Sequence, residues 1–278
     1  MPRSPIRIAL TSLALCAILS GCPGPGPAAE VPILDPEPAS APTEIADGFL
    51  ACLGNNAPMP ATVTDLLLPG YTRALADPGN ALGVQPAATL EAFDATGSRG
   101  TAVATPLDGR VVLSVSVGPA GFDGWVRATA DGLVPTSLYS SRAYTRNIVS
   151  GWVWMPAPAE MTDQATTAGV TLTPGQGTLV GAVHDCDVFG IANAVIRYGD
   201  RIDGVVYYEG FAPDPALTFT GASGRFAVAN LAPGPITVEA FGRLEASGPL
   251  VLLSRAEVTI VADEITSVDL QPRVDVER

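Results

Sequence analysis

Lysine is absent from this 278-residue chain: all 15 basic residues are arginine, and there is a single histidine, His184. The first absence excludes Schiff-base chemistry and a P-loop, both of which need a lysine amine. The second leaves a metallopeptidase or a serine hydrolase with one imidazole to work from, and no Gly-x-Ser-x-Gly elbow accompanies it. Basic clusters are missing too. With a net charge of −13 the chain is unsuited to phosphate backbones, which argues against nucleic-acid partners. No apolar run of about 18 residues follows the N-terminal segment, so no transmembrane helix is expected.

What is present begins with an address. Arg3 and Arg7 precede an apolar stretch from Ile8 to Leu19, about a dozen residues and too short to span a bilayer. Leu19-Ser20-Gly21-Cys22 follows. This stretch resembles the bacterial lipoprotein lipobox, which implies cleavage before Cys22 and lipidation of that cysteine. Removing Arg3 and Arg7 with a signal peptide of residues 1–21 takes the net charge from −13 to −15. Two or more acyl chains hold a protein on a membrane where one does so only marginally. Pro23 stands where many inner-membrane lipoproteins carry Asp, so the resemblance implies an outer-membrane, lipid-anchored location.

Of the four cysteines, Cys16 would leave with the signal and Cys22 would be lipidated. Cys52 and Cys186 remain, an even pair in an oxidising compartment, either bridged or present as two buried thiols. A bridge would close a long loop, stabilising by up to roughly 4–5 kcal/mol in the chain-entropy treatment.

Residues 22–49 read as a proline-rich tether, extended and with little to bury. Beyond it, short alternating runs separated by turn signals predict β-strands. Val111, Leu113, Val115 and Val117 share one face of the segment 110–117. Residues 124–130, 236–241, 257–261 and 268–270 alternate likewise, and Asp108-Gly109, Asp131-Gly132, Ser223-Gly224 and Pro233-Gly234 supply turns. A helix is expected only near 157–168. The spacing points to an all-β chain of tandem Ig-like or transthyretin-like sandwiches with a short helical connector.

An internal repeat divides it. Thr105-Pro-Leu-Asp-Gly109-Arg110 recurs as Thr220-Gly-Ala-Ser-Gly224-Arg225, each copy preceded by an apolar strand (88–93 and 194–198) and followed by an alternating one. So long a period means tandem domains: a first sandwich at 50–155, a connector at 156–174, a second at 175–273, and a tail at 274–278. In the second half, Gly181-Ala-Val183, Ile191-Ala-Asn-Ala194-Val195, Thr220…Gly224-Arg225-Phe226 and Leu231-Ala-Pro233-Gly234 appear in order. This half resembles the carboxypeptidase regulatory-like domain, a transthyretin-like sandwich. The first half resembles it more weakly, through Thr105, Gly109 and Gly124-Trp125. The resemblance implies an accessory module without catalytic activity, since these motifs specify turns and core positions.

The candidate chemistry is sparse. His184-Asp185-Cys186-Asp187 clusters ligand types, but alternation along a strand lets at most two converge, and zinc sites want three or four. Asp108, Asp123, Asp131, Asp185, Asp187, Asp200 and Asp203 lie near turns without the dense spacing of a calcium loop. No metal and no cofactor are therefore expected. Trp152 and Trp154 fall on one face of a strand, where two indoles cover a core or stack on a ligand. The sequence thus describes a lipid-anchored envelope protein that binds or supports, meeting protein or polysaccharide. The alternatives are a carbohydrate-binding module using Trp152 and Trp154, and a hydrolase or metal enzyme using His184.

Overall fold

In the computed structural model of the chain, described over residues 33–34, 44–45, 64–73, 88–104, 109–146, 151–187, 189–210 and 212–272, every described residue falls in one unit, Val31–Arg278. The signal-like segment, Cys22 and Cys52 lie outside the described residues. The first half contributes β1 (Asp65–Arg73), β2 (Thr89–Asp94), β3 (Gly97–Val103), β4 (Arg110–Ser116), β5 (Gly124–Thr129), β6 (Thr136–Ser140) and β7 (Gly151–Trp154). The helix α1 (Pro158–Thr167) then leads to β8 (Gly177–Val183), β9 (Val195–Tyr198), β10 (Val206–Glu209) and β11 (Ala212–Asp214). The chain finishes with β12 (Arg225–Leu231), β13 (Gly234–Arg243), β14 (Leu250–Ile260) and β15 (Ile265–Leu270). The protein is all-β, as its alternating runs predict. In β4, Val111, Leu113 and Val115 are buried while Arg110, Val112, Ser114 and Ser116 are exposed.

The expected helix forms for local reasons. Pro158 sits in its first turn, where a missing N–H costs nothing. The Glu160 carboxylate accepts the Ala157 N–H at 2.8 Å, and Gly169 at φ 73° ends it in the left-handed region that glycine tolerates.

Both halves follow one strand plan. The first stacks β4-β1-β7 against β6-β5-β2; the second stacks β12-β8-β15 against β14-β13-β9, in the same order. The senses agree as well. The β1–β7 and β8–β15 pairs are parallel, and the other equivalent pairs are antiparallel. Additional strands lie at the edges, β3 beside β2 and β10–β11 beside β12.

The halves share a sheet. β6 pairs in parallel with β15, giving a nine-stranded sheet of order β11-β10-β12-β8-β15-β6-β5-β2-β3. One row of residues crosses it: Phe93, Trp125, Tyr139, Val268, Gly181, Phe226 and Tyr207 stand opposite one another in turn. Residues in register share a face. Phe93, Trp125 and Tyr139 are half-buried and lie outside the first core, whereas Val268, Phe226 and Tyr207 belong to the second. The two three-stranded sheets therefore cover opposite faces of the common sheet. One core gathers Leu66, Leu90, Leu113 and Met155; the other gathers Leu179, Ile196, Phe226 and Leu253.

Part of the proline-rich segment departs from the extended, unburied tether expected for it. Leu34 is buried with Val195, Phe241, Leu250 and Leu252, and its N–H donates to the Leu250 carbonyl at 2.9 Å. Ile45 joins the second core, and its N–H donates to the Arg243 carbonyl at 3.0 Å. The physical reason is that isolated apolar residues between prolines still gain by burial where a sheet presents an apolar face and carbonyls that accept their N–H groups.

Candidate functional site

The turn motifs of the second half do structural work. The buried Thr220 hydroxyl donates to the Ile191 carbonyl at 2.7 Å and accepts the Ala194 N–H at 2.9 Å, fastening the start of β9. Gly224 has φ 67°, and a Cβ there would lie 2.2 Å from the Val183 carbonyl oxygen, so this turn presses directly on β8. Thr and Gly at these two positions are explained by folding alone.

His184 is engaged. Its Nδ1 lies 2.5 Å from Asp269 Oδ1, and the Gln271 side-chain amide donates to Asp269 Oδ2 at 3.0 Å. Among the described residues no serine or threonine hydroxyl bonds to the imidazole, and no three His, Cys, Asp or Glu side chains converge as metal ligands. Asp185 serves the next loop instead. Its Oδ1 accepts the N–H groups of Asp187 and Phe189, each at 2.8 Å, while Oδ2 is buried without a partner. Cys186 follows and is disulfide-bonded. No other cysteine falls among the described residues.

Trp154 is half-buried at the end of β7; the Trp152 side chain lies outside the description. Trp125, by contrast, is stacked on both faces, 5.6 Å from the Phe93 ring and 5.5 Å from the Tyr139 ring, with interplanar angles of 17° and 11°. Its faces are spent on cross-strand neighbours, which stabilises the sheet and leaves none for a sugar.

A polar cleft of about 390 Å³ opens where the first half approaches the β14-β13-β9 sheet. Its floor is a charged row across that sheet. Glu239 is 3% exposed and lies between two guanidinium groups: Arg197 Nε donates to Oε2 at 2.6 Å, and Arg255 donates to Oε1 through Nε at 2.8 Å and a terminal nitrogen at 2.5 Å. The register dictates the arrangement, since Glu239 stands opposite Arg255 on one side and Arg197 on the other. Arg197 also lies over the Phe241 ring, 4.9 Å from its centroid. Around the row, Asp200 and Glu257 from the second half and Asp123 and Ser140 from the first complete the walls.

Guanidinium donors and carboxylate acceptors on one wall suit a ligand rich in hydroxyl or amide groups. The surplus of carboxylates disfavours a polyanion. Sequence reasoning missed Arg197, Glu239 and Arg255. The available signal was a charge in the middle of each of three strands, but it gains meaning only once the strand pairing is known.

No protein-family model matches the chain, and no curated protein matches it. Among solved structures it is similar to the Bacillus anthracis TIE protein at 12% identity, covering 76% of this chain and 34% of that one, with a TM-score of 0.26. It is similar also to the full-length major pilin RrgB from Streptococcus pneumoniae at 12% identity, covering 77% of this chain and 49% of that one, with a TM-score of 0.22. The chain thus spans about a third and about half of those two proteins. The all-β class rests on the strands themselves.

Proposed function

We propose that this chain is a non-catalytic binding and structural protein of the cell envelope, held to the outer membrane by lipid on Cys22 and presenting two β-sandwich domains. The observation that carries the reading is the Arg197–Glu239–Arg255 row flooring an open polar cleft between the halves. It offers directional donors and acceptors to an envelope polysaccharide or protein, and a shared sheet supports it from beneath. Residues 50–155 and 175–273 act as the two domains, joined by the connector at 156–174. Cys52 is the partner we assign to Cys186, since Cys16 leaves with the signal and Cys22 carries lipid.

Two experiments test the reading. Retention of the purified chain on columns of envelope polysaccharide and of envelope protein should fall about tenfold for Asp200→Ala, the loss of one or two polar contacts. Retention equal to the parent on every column removes the cleft from the account. Membrane fractionation of a Cys22→Ala variant should move the protein out of the outer-membrane fraction, and an unchanged distribution overturns the lipid anchor.

A further inference from the structure

The cluster that buries Leu34 lies beside the cleft, on the same face of the same sheet. Alternate residues of a strand point the same way, so Glu239 shares a face with Phe241 on β13, and Arg197 with Val195 on β9. The outer face of β14-β13-β9 thus carries two neighbouring rows. Arg197, Glu239 and Arg255 floor the cleft, and Val195, Phe241 and Leu252 stand opposite one another one step along. Leu34, 4% exposed, closes over the second row. Two contacts lead from that cluster into the cleft. The Arg197 guanidinium rests over the fully buried Phe241 ring while its Nε donates to Glu239. Ile202 packs on the same cluster, at the end of the turn that carries Gly199 and Asp200, two residues of the cleft wall.

We infer that Leu34 is a positioning residue for the cleft: by completing the cluster around Phe241 and Ile202, it fixes the direction in which Arg197 donates and the turn that presents Asp200. The inference rests on the cleft being the binding site proposed above. A guanidinium held at its edge by a carboxylate and on its face by a ring has one orientation; loosen the ring and only the carboxylate restrains it. Truncating Leu34 leaves a cavity beside the ring, and the neighbours relax only partly into it. A site whose donors wander must order them on binding, which lowers its affinity. Leu34 stands 12 residues after Cys22, about 40 Å at full stretch, so the proposed lipid anchor leads into the cleft's own support. Ile45, docked from the same N-terminal segment, belongs instead to the core on the inner face.

The test reads solvent exchange without any ligand. In the full chain held in detergent, the Arg197 Nε–H signal is followed by NMR, assigned by its loss in Arg197→Lys, and the amides of 199–202 are followed alongside. Leu34→Ala should speed exchange at both places about tenfold, Leu34→Val less, and Leu34→Met should restore the parent rates. Ile45→Ala should leave both unchanged although it destabilises the fold as much. Parent rates in Leu34→Ala overturn the inference. So does an equal rise in Ile45→Ala, which marks a general loosening of the N-terminal segment. Because no ligand enters, columns that retain nothing remove the function proposed for the cleft and leave this result standing; parent rates here remove the role of Leu34 and leave the cleft.

Discussion

Tyr139 of β6 stands opposite Val268 of β15 in parallel register, and between these two residues the outer face of the first sandwich becomes the inner face of the second. The Tyr139 ring packs on the second core while stacking on Trp125. A residue of one half is thereby built into the other.

The second tie across the join is Arg127 to Glu264, with Nε to Oε2 at 3.2 Å and a terminal nitrogen to Oε1 at 2.6 Å. Arg127 is 40% exposed at its side chain and Glu264 only 12%. Arg127→Ala should cost about 1 kcal/mol, small because solvent screens the arginine. Urea unfolding measures the cost. Faster exchange at β6 and β15 amides, with β9 and β13 unaltered, locates the effect at the join.

Glu239→Ala should be worse. It leaves Arg197 and Arg255 facing each other over a buried position, and we expect a loss of roughly 2–4 kcal/mol, with Glu239→Gln intermediate. Raising the salt concentration should partly restore Glu239→Ala by screening the two cations. A salt-independent loss would instead indicate packing as the cause.

Two tyrosines predict weakness in alkali. Burial pushes the Tyr207 hydroxyl up to about 12. Burial, aided by the Asp269 carboxylate, pushes Tyr144 up to about 12 as well. In the unfolded chain such hydroxyls ionise near about pH 10. Below that both states are protonated and their contribution is intact. Between about 10 and 12 the unfolded chain releases protons that the fold retains, so stability falls as pH rises. The urea midpoint should drop from about pH 9 to about pH 11, with a shallower slope in Tyr207→Phe.

Leu34→Ala and Ile45→Ala test the docked part of the N-terminal segment. Both side chains are buried, and a Cβ on Gly242 would come within 2.2 Å of Ile45 Cδ1, so the fit there is close. Each should lower stability by about 2–3 kcal/mol. Thermal denaturation that ignores both substitutions would mean that these residues contribute nothing to the fold.

Much of this architecture was legible in local pattern. The alternation of Val111, Leu113 and Val115, the proline and glycine bounding α1, and the Thr220…Gly224 turn all act through neighbours a few residues away. Residue type alone therefore reports them. The repeat was legible at Gly109-Arg110 and Gly224-Arg225 because both precede an alternating strand. Leu34 and Ile45 were not: among so many prolines their spacing carries no period, and their burial depends on a face made some 200 residues later.

By itself, then, the sequence determined the strand and turn content, the twofold repeat, and the want of lysine and second histidine that narrows the chemistry. Tertiary structure alone decided that β6 and β15 make one sheet of two sandwiches, that the small sheets lie on opposite faces of it, and that Arg197 and Arg255 converge on Glu239. Strands are specified by side-chain alternation along the chain. Their partners are chosen through backbone hydrogen bonds, which are the same for every residue that can donate and accept, and so leave little mark in the sequence.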